Sequence, residues 1–267
     1  MFGKYIWCIL VILFITSCNK DSINHDVPII ALAAKGLYNP QKYLHDNSKE
    51  GIEYALSFTE LDGIEVDIQR SKDGTFWLYH DDRLENNTNG TGQICEKYDS
   101  EIEGLNYSTL RREKLVRLTE VDFESFSAKK TLFLDLKTYS SCNYDSLIVD
   151  DIILSLGELA LFELPHYDVK LIVNDIRFAY AIGLAGYTIY CDINSLANGK
   201  ERLELYPYDG FFIRNRNITE KETKELLDFA VKVVIFDVRT PLSIRRAKQK
   251  RPTYLMVEEF KTALIEK

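Results

Sequence analysis

The sequence predicts an α/β protein built on a single (β/α)8 TIM barrel. Short apolar runs alternate with helical patterns, and such alternation indicates a parallel sheet covered by helices. The 250 residues that remain after a 17-residue leader match the roughly 250 residues of one such barrel. Because no linker, low-complexity tract or clear repeat interrupts them, we expect one domain.

Nine apolar runs have the length and the β-branched or aromatic content of buried strands. The barrel needs eight, so either one prediction is surplus or one strand lies outside the barrel. The predicted strands are 29–33, 63–68, 75–79, 131–136, 169–173, 188–191, 210–213, 231–238 and 254–257.

Helical patterns lie between these strands, and two of them have a recognisable first turn. Residues 219–222, Thr-Glu-Lys-Glu, match a capping box and predict a helix that runs to Ala230. Thr240 and Pro241 predict an N-cap and a proline at the first helical position of a helix that reaches residue 250. Two further helices are predicted over 49–61 and 146–162.

The first residues predict a targeting segment. The apolar stretch 5–15 is too short to span a bilayer and suits a secretory signal. It ends in Phe-Ile-Thr-Ser-Cys, which resembles the cleavage box of bacterial lipoproteins and implies a lipid on Cys18. We expect a signal peptide over 1–17, a tether over 18–28 and the barrel over 29–267. The protein would be lipid-anchored to a membrane of the bacterial cell envelope, facing the periplasm or the surface; the alternative is an exported protein with a chance cysteine.

Charge and cysteine content limit the possible partners. The formal net charge is −8, and an acidic chain that lacks a basic run argues against nucleic acid as a partner. After the leader and Cys18, the cysteines are Cys95, Cys142 and Cys191. Their spacing forms neither a disulfide framework nor a zinc motif, and we expect one pair at most.

Acidic and basic side chains mark the ends of three predicted strands. Glu65 and Asp67 project from one face of their strand because side chains alternate along it. Two adjacent carboxylates repel each other unless a cation lies between them, and oxygen ligands suit a divalent metal. His80 follows the next strand, and Asp135 and Lys137 end a third. Strand ends of a barrel meet at one mouth, so we expect one site.

These residues lie in segments that resemble the glycerophosphodiester phosphodiesterase family. The order and spacing of the segments agree with the family over roughly the first half of the mature chain. The second half shows only the alternation that a barrel needs. The matching segments are 46–52, 62–67, 71–74, 80–81, 88–92 and 134–137.

The resemblance implies a metal-dependent phosphoric diester hydrolase that acts on glycerophosphodiesters, as small molecules or lipid head groups. By position, Glu65, Asp67 and Asp135 match the ligands of one divalent metal, Ca²⁺ or Mg²⁺. His80 matches a histidine that transfers a proton. Lys137 and Lys35 match groups near the phosphate, and Asn47, which we count with them as substrate-binding, matches an asparagine near the metal.

One departure from the family's pattern bears on activity. The family's first strand ends in His-Arg-Gly, whereas this chain has Ala34-Lys35-Gly36, and a methyl group cannot move a proton. A general acid or base contributes about 10²–10⁴-fold, so we expect impaired hydrolysis. His45 is a possible substitute, although a loop role is favoured for it. Asp192, near a later strand end, gives no ground for a functional role.

Two other functions stay open at this stage. The first is a non-catalytic, phosphoester-binding lipoprotein that kept the pocket after losing the histidine at position 34. The second is another enzyme of the same superfamily, such as a phosphoinositide-type phospholipase C or a sphingomyelinase-like phospholipase D. The segment 88–92 favours the glycerophosphodiester phosphodiesterase family over the second.

Overall fold

A computed structural model of the chain describes residues 26–32, 44–139, 142 and 146–266. The predictions for Cys18, Ala34 and Lys35 lie outside the described residues, as do those for the leader and most of the tether. Within the described ranges, no helix has both the length and the apolar character needed to cross a membrane.

Eight parallel strands of the described chain close into a barrel, which confirms the predicted fold class. Strand β1 pairs with both β2 and β9, so the sheet has no open edge between them. The strands are β1 (Ile29–Ala31), β2 (Gly63–Arg70), β3 (Phe76–Leu78), β4 (Lys130–Leu136), β5 (Tyr167–Ile172), β6 (Ile189–Ile193), β7 (Gly210–Arg214), β8 (Lys232–Phe236) and β9 (Tyr254–Val257).

Strand β3 lies outside the barrel formed by the other eight strands of the described chain. It pairs antiparallel with β2 alone, with Ile68 opposite Leu78 and Arg70 opposite Phe76. The ninth apolar run in the sequence is therefore a strand outside the barrel. It turns back along the outer end of β2 and begins an insertion before the next barrel strand.

The helices fill the connections between barrel strands. Thr219 accepts a hydrogen bond from the Glu222 amide, and Thr240 accepts one from Ser243, so both predicted caps are confirmed. The helices at 49 and 146 end earlier than predicted. The helices are α1 (Lys49–Leu56), α2 (Asp99–Ile102), α3 (Ser146–Gly157), α4 (Ile176–Leu184), α5 (Leu196–Leu205), α6 (Glu220–Asp228), α7 (Pro241–Gln249) and α8 (Phe260–Ile265).

The barrel interior is closed by its own apolar layer. The Phe133 ring meets Tyr190, Phe212 and Tyr254 edge to face, with centroids 5.1–5.6 Å apart. A separate and larger cluster lies between the barrel and its helices. The interior layer forms a floor beneath the carboxyl ends of the strands, where polar residues take over. Its buried members are Ile30, Phe133, Ile172, Tyr190, Phe212, Val234 and Met256.

The insertion that begins with β3 packs as a small unit. Cys95 in this insertion is joined by a disulfide to Cys142, which follows β4. Cys191 is buried and has a free thiol. The described cysteines therefore form one disulfide, in agreement with the expectation of no more than one pair. The bond links two loops that flank the barrel mouth. The insertion's core consists of Trp77, Tyr79, Leu84, Ile94, Ile102, Tyr107 and Leu115.

The chain does contain one basic run, contrary to what its net charge suggested. Residues 239–251 contain six lysines and arginines and no acid. Most of these charges have partners elsewhere in the fold: Arg239 binds Glu258, and Arg245 binds Glu266. These ion pairs reduce the positive potential that would attract a nucleic acid. The absence of a nucleic-acid partner stays a prediction.

Candidate metal and phosphate site

Three carboxylates converge at the mouth of the barrel. Glu65 and Asp67 point inward from β2, and Asp135 lies beside Asp67 on β4 in the strand register. All three side chains are buried. One oxygen of each lies within 4.8 Å of the others. The structure therefore brings together the three acids that the sequence assigned to a metal.

Asn47 holds Asp67 from behind. Its amide donates to Asp67 Oδ2 (2.7 Å), and its Oδ1 accepts from the Asp67 backbone N–H (2.8 Å). Asn47 is fully buried, with a φ of 62° that asparagine tolerates better than most residues. It places Asn47 beside the acid cluster, where the resemblance implies an asparagine near the metal. The side chain orients a carboxylate and does not reach the cavity surface.

Lys137 bridges two of the acids. Its Nζ lies 2.9 Å from Asp67 Oδ1 and 2.6 Å from Asp135 Oδ2. Burial disfavours its charge, but the carboxylates of Asp135, Asp67 and Glu65 raise the pKa of Lys137 well above its ordinary value. The ammonium group is therefore charged near neutral pH, and it lines the cavity at the barrel mouth.

The two carboxyls that contact Lys137 differ in acidity. Burial raises the pKa of Asp135 to about 6, against the charge of Lys137 and with help from the charge of Asp67. Burial also acts on Asp67, but Lys137, His80 and the hydrogen bond from Asn47 outweigh it and lower the pKa of that group. Asp67 is therefore ionised throughout the neutral range. As the pH falls, Asp135 is protonated before Asp67.

The donor set fits a hard divalent cation. The buried Asp135 Oδ1 has no hydrogen-bond partner among the described residues, which is costly for a carboxylate oxygen unless a ligand satisfies it. The cluster offers only oxygen atoms, the ligands that Ca²⁺ and Mg²⁺ prefer. The geometry favours neither ion.

His80 lies at the rim, in the insertion rather than on a barrel strand. Its Nδ1 lies 2.7 Å from Asp81 Oδ1, and its side chain is 58% exposed. Gln69 of β2 donates to the Asp81 carbonyl (2.8 Å), and the Tyr139 hydroxyl donates to the His80 carbonyl. Asp81 thus orients the ring through Nδ1. Nε2 is the ring nitrogen that Asp81 does not contact.

These groups line a cavity of about 240 Å³ at the barrel mouth. His45, the possible substitute for the missing histidine, is not among its lining residues. It is buried and stacked on Tyr107, with ring centroids 3.9 Å apart. The lining residues are Leu32, Glu65, Asp67, His80, Asp135, Lys137, Ile172, Asp192, Phe212, Arg214, Phe236 and Met256.

Two charged lining residues escaped the sequence analysis. Asp192 was noted without a role, and Arg214 was not considered. A signal for both existed in strand parity: Asp192 lies two residues after the interior residue Tyr190, and Arg214 two residues after Phe212. Alternate residues of a strand share a face, so both side chains belong to the interior side at the strand ends.

Comparison with known proteins agrees with this geometry. Residues 36–154 match the model of the Glycerophosphoryl diester phosphodiesterase family. That segment contains every residue of the acid cluster, together with Lys137 and His80. A human protein, Glycerophosphodiester phosphodiesterase 1, is 32% identical over 85 residues. The match covers 29% of this chain and 26% of the human protein, so the chain spans about a quarter of that relative's length.

Solved structures share the whole barrel. A glycerophosphodiester phosphodiesterase from Parabacteroides distasonis superposes with a TM-score of 0.71 at 17% identity, covering 90% of this chain and 96% of that one. A phosphodiesterase from Oleispira antarctica, in complex with the product sn-glycerol-3-phosphate, gives 0.69 at 18% identity, covering 90% and 97%. At such identities the likeness establishes the fold.

Proposed function

We propose that this protein is a metal-dependent phosphoric diester hydrolase of the glycerophosphodiester phosphodiesterase type. The observation that carries the proposal is the acid cluster of Glu65, Asp67 and Asp135, set in an open cavity with Lys137 beside it and His80 at the rim. The whole cluster lies in the segment that matches the family model. A relative of the same fold, from Oleispira antarctica, binds sn-glycerol-3-phosphate, which supports a glycerophosphodiester as substrate.

The side chains divide the work by chemistry. The three carboxylates would hold one divalent cation, Ca²⁺ or Mg²⁺, which when bound polarises phosphoryl oxygens and offsets developing charge. Lys137 supplies a fixed positive charge beside them. His80, oriented by Asp81, has its Nε2 available to give or take a proton at an ester or attacking oxygen.

The alanine at position 34 makes slow turnover part of the proposal. Loss of one of two proton-transferring groups costs about 10²–10⁴-fold in rate. His45 is stacked on Tyr107 and does not line the cavity, so we do not expect it to replace the missing proton-transfer group. Activity would then depend on the metal and on His80 alone.

The test is hydrolysis of glycerophosphocholine by the purified protein, with calcium or with a chelator. Wild type should release product only with the cation, and His80→Ala should abolish the release. His166→Gln is the matched control, because His166 contacts Tyr167 away from the cavity. Activity that survives His80→Ala, or that ignores the chelator, would refute the mechanism.

The second candidate is a non-catalytic protein that binds phosphoesters at the same site. Ala34 in the sequence is the observation that favours it. Ala34→His separates the two functions: a large gain in hydrolysis supports an enzyme that lacks one group. Calcium-dependent binding of glycerol 3-phosphate without hydrolysis in either protein supports the binding function.

The envelope location is a further part of the proposal. It is supported by the apolar stretch 5–15 and the small residues before Cys18. Residues 1–17 would be removed, and 18–28 would tether the barrel domain to a lipid. Incorporation of a labelled fatty acid by a bacterial host, lost in Cys18→Ser, would verify the anchor. Equal labelling of both proteins would rule it out.

A further inference from the structure

The Cys95–Cys142 disulfide is connected to His80 by a short chain of contacts. After β4, the Cys142 backbone N–H donates to the Tyr139 carbonyl (2.9 Å), which ties Tyr139 to the disulfide-bonded residue. The Tyr139 hydroxyl in turn donates to the His80 carbonyl. Hydrogen bonds therefore lead from the disulfide through Tyr139 to the backbone of His80.

The other half of the disulfide is anchored in the insertion. Cys95 lies in the short helical turn Ile94–Glu96, whose first residue belongs to the small core of the insertion. Gln93, buried just before this turn, donates to Asp82 Oδ1 (2.6 Å). Asp82 is in the loop that directly follows His80. Cys95 is therefore fixed to the part of the insertion that carries His80.

The acid cluster does not depend on the disulfide. Its members are held by the pairing of β2 with β4. The Lys137 backbone N–H donates to the Ile68 carbonyl (3.0 Å), so β2 also fixes the chain as far as Lys137. Tyr139 lies beyond this bond. We expect loss of the disulfide to release Tyr139 and to leave the acid cluster unchanged.

The segment around His80 has a second support, which limits the effect to a shift. Gln69 of β2 donates to the carbonyls of Tyr79 and Asp81 (3.0 and 2.8 Å), on either side of His80. These bonds keep the segment near the cavity when the bond from Tyr139 is lost. A displacement of about 1 Å can cost about 10²-fold in rate, so a small shift of the His80 ring is enough to slow proton transfer.

We propose that Tyr139 is a positioning residue for His80 and that the Cys95–Cys142 disulfide makes this positioning depend on redox state. The oxidised protein is the active form, and the reduced protein still binds the cation but hydrolyses more slowly. The inference rests on the proposed function, in which His80 transfers a proton.

The reductant is a dithiol, and the exchange is a two-electron reduction of the protein. One thiolate of the reductant attacks the Cys95 sulfur, and Cys142 leaves as a thiolate. The second thiolate of the reductant then displaces Cys95 and closes the reductant's own disulfide, while both cysteines take up a proton. Cys142 is only 5% exposed and Cys95 is half-buried, so the Cys95 sulfur is the accessible point of attack.

The experiment measures hydrolysis of glycerophosphocholine by the calcium-loaded protein before and after dithiothreitol, at a temperature at which circular dichroism shows the reduced protein to be folded. Reduction should lower kcat by at least about tenfold and leave KM and the calcium Kd unchanged. The double variant Cys95→Ser with Cys142→Ser should match the reduced wild type and should not respond to dithiothreitol. An unchanged kcat on reduction, or a calcium affinity that falls with it, would overturn the proposal.

Tyr139→Phe separates positioning from general stabilisation, because it keeps the ring and the disulfide and removes the hydroxyl. Its kcat should fall about as far as that of the reduced wild type, and dithiothreitol should add little. Tyr167→Phe is the matched control, since its hydroxyl donates to the Phe123 carbonyl (3.2 Å) and Tyr167 does not line the cavity. Equal fold-losses on reduction in wild type and Tyr139→Phe would refute the role of Tyr139, because independent effects add in free energy.

The ring signal of His80 in an NMR spectrum distinguishes this inference from the proposed function. The chain has four histidines, and His80→Ala assigns the signal. Reduction of the calcium-loaded wild type should shift it and leave the His166 signal in place, whereas Tyr139→Phe should show no such response. If this pattern is found in a protein that hydrolyses nothing, the positioning by Tyr139 is correct and the proposed function fails. A His80 signal that ignores reduction overturns the positioning, whatever the activity.

Discussion

Asn47 offers the sharpest test of how the metal carboxylates are positioned. Replacing it by alanine removes both hydrogen bonds to Asp67, at 2.7 and 2.8 Å. The bond to the charged carboxylate is worth about 1.5–3 kcal/mol, and the buried N–H left without an acceptor costs about 1–3 kcal/mol. Alanine at a φ of 62° adds roughly 1–2 kcal/mol. Because these losses overlap, we expect the free energy of unfolding to fall by about 3–5 kcal/mol.

The cation affinity should fall together with the stability. Removing a group that orients a metal ligand costs about 10–100-fold in affinity, so calcium titration of Asn47→Ala should show that loss beside the urea unfolding curve. Asn47→Gly is the matched control: it loses the same bonds but not the backbone penalty, and should be about 1 kcal/mol more stable than the alanine variant. Wild-type calcium affinity in a folded Asn47→Ala protein would refute the claim that this amide positions Asp67.

Three further predictions concern acidity, the disulfide and a buried lysine. Burial raises the pKa of Asp135 to about 6, and the cation needs the ionised carboxylate. Calcium affinity should therefore start to fall as the pH approaches that pKa, and should fall by up to about tenfold per pH unit below it. A flat calorimetric profile from pH 7.5 to 5 would contradict this. Replacing Cys95 and Cys142 by serine opens a loop of 47 residues and should cost up to about 4 kcal/mol in unfolding free energy, with reductant destabilising only the wild type. Lys130 is buried and donates to two backbone carbonyls (2.8 and 2.7 Å). Lys130→Met should lower the free energy of unfolding by about 2–4 kcal/mol and leave calcium binding unchanged. An unchanged unfolding midpoint would argue against this prediction.

Nearly the whole sheet could be predicted from sequence because barrel strands are buried on both faces and give continuous apolar runs. The helices were harder to predict. Ile176–Leu184 is almost entirely apolar, and a short apolar run does not distinguish strand from helix. Leu196–Leu205 contains Asn198 and Gly199 in its first turns, residues that favour turns over helix. Their caps, Asp175 and Ser195, were the available signals.

The acid cluster could be predicted because its geometry is local. Two of its members alternate along one strand, and the third lies on the next barrel strand in register. The resemblance named Asn47 as a site residue, but its hydrogen bonds to Asp67 could not be predicted, and neither could Asn174. Each asparagine binds a residue about 20 positions away through a loop conformation that no spacing encodes. Asp192 and Arg214 could be inferred only from the alternation of side chains along β6 and β7, in the part of the chain where the family resemblance ends.

The insertion that carries His80 gives the protein two separately packed units at one barrel mouth. The acid cluster is anchored in the eight-stranded sheet, whereas His80 follows β3 and depends on the small core around Trp77 and Tyr107. Under the proposed function, cation binding and proton transfer would therefore depend on different parts of the fold. If the proposed function holds, a mutation that loosens the small core would reduce hydrolysis and leave cation binding intact, so the two properties need not change together among variants.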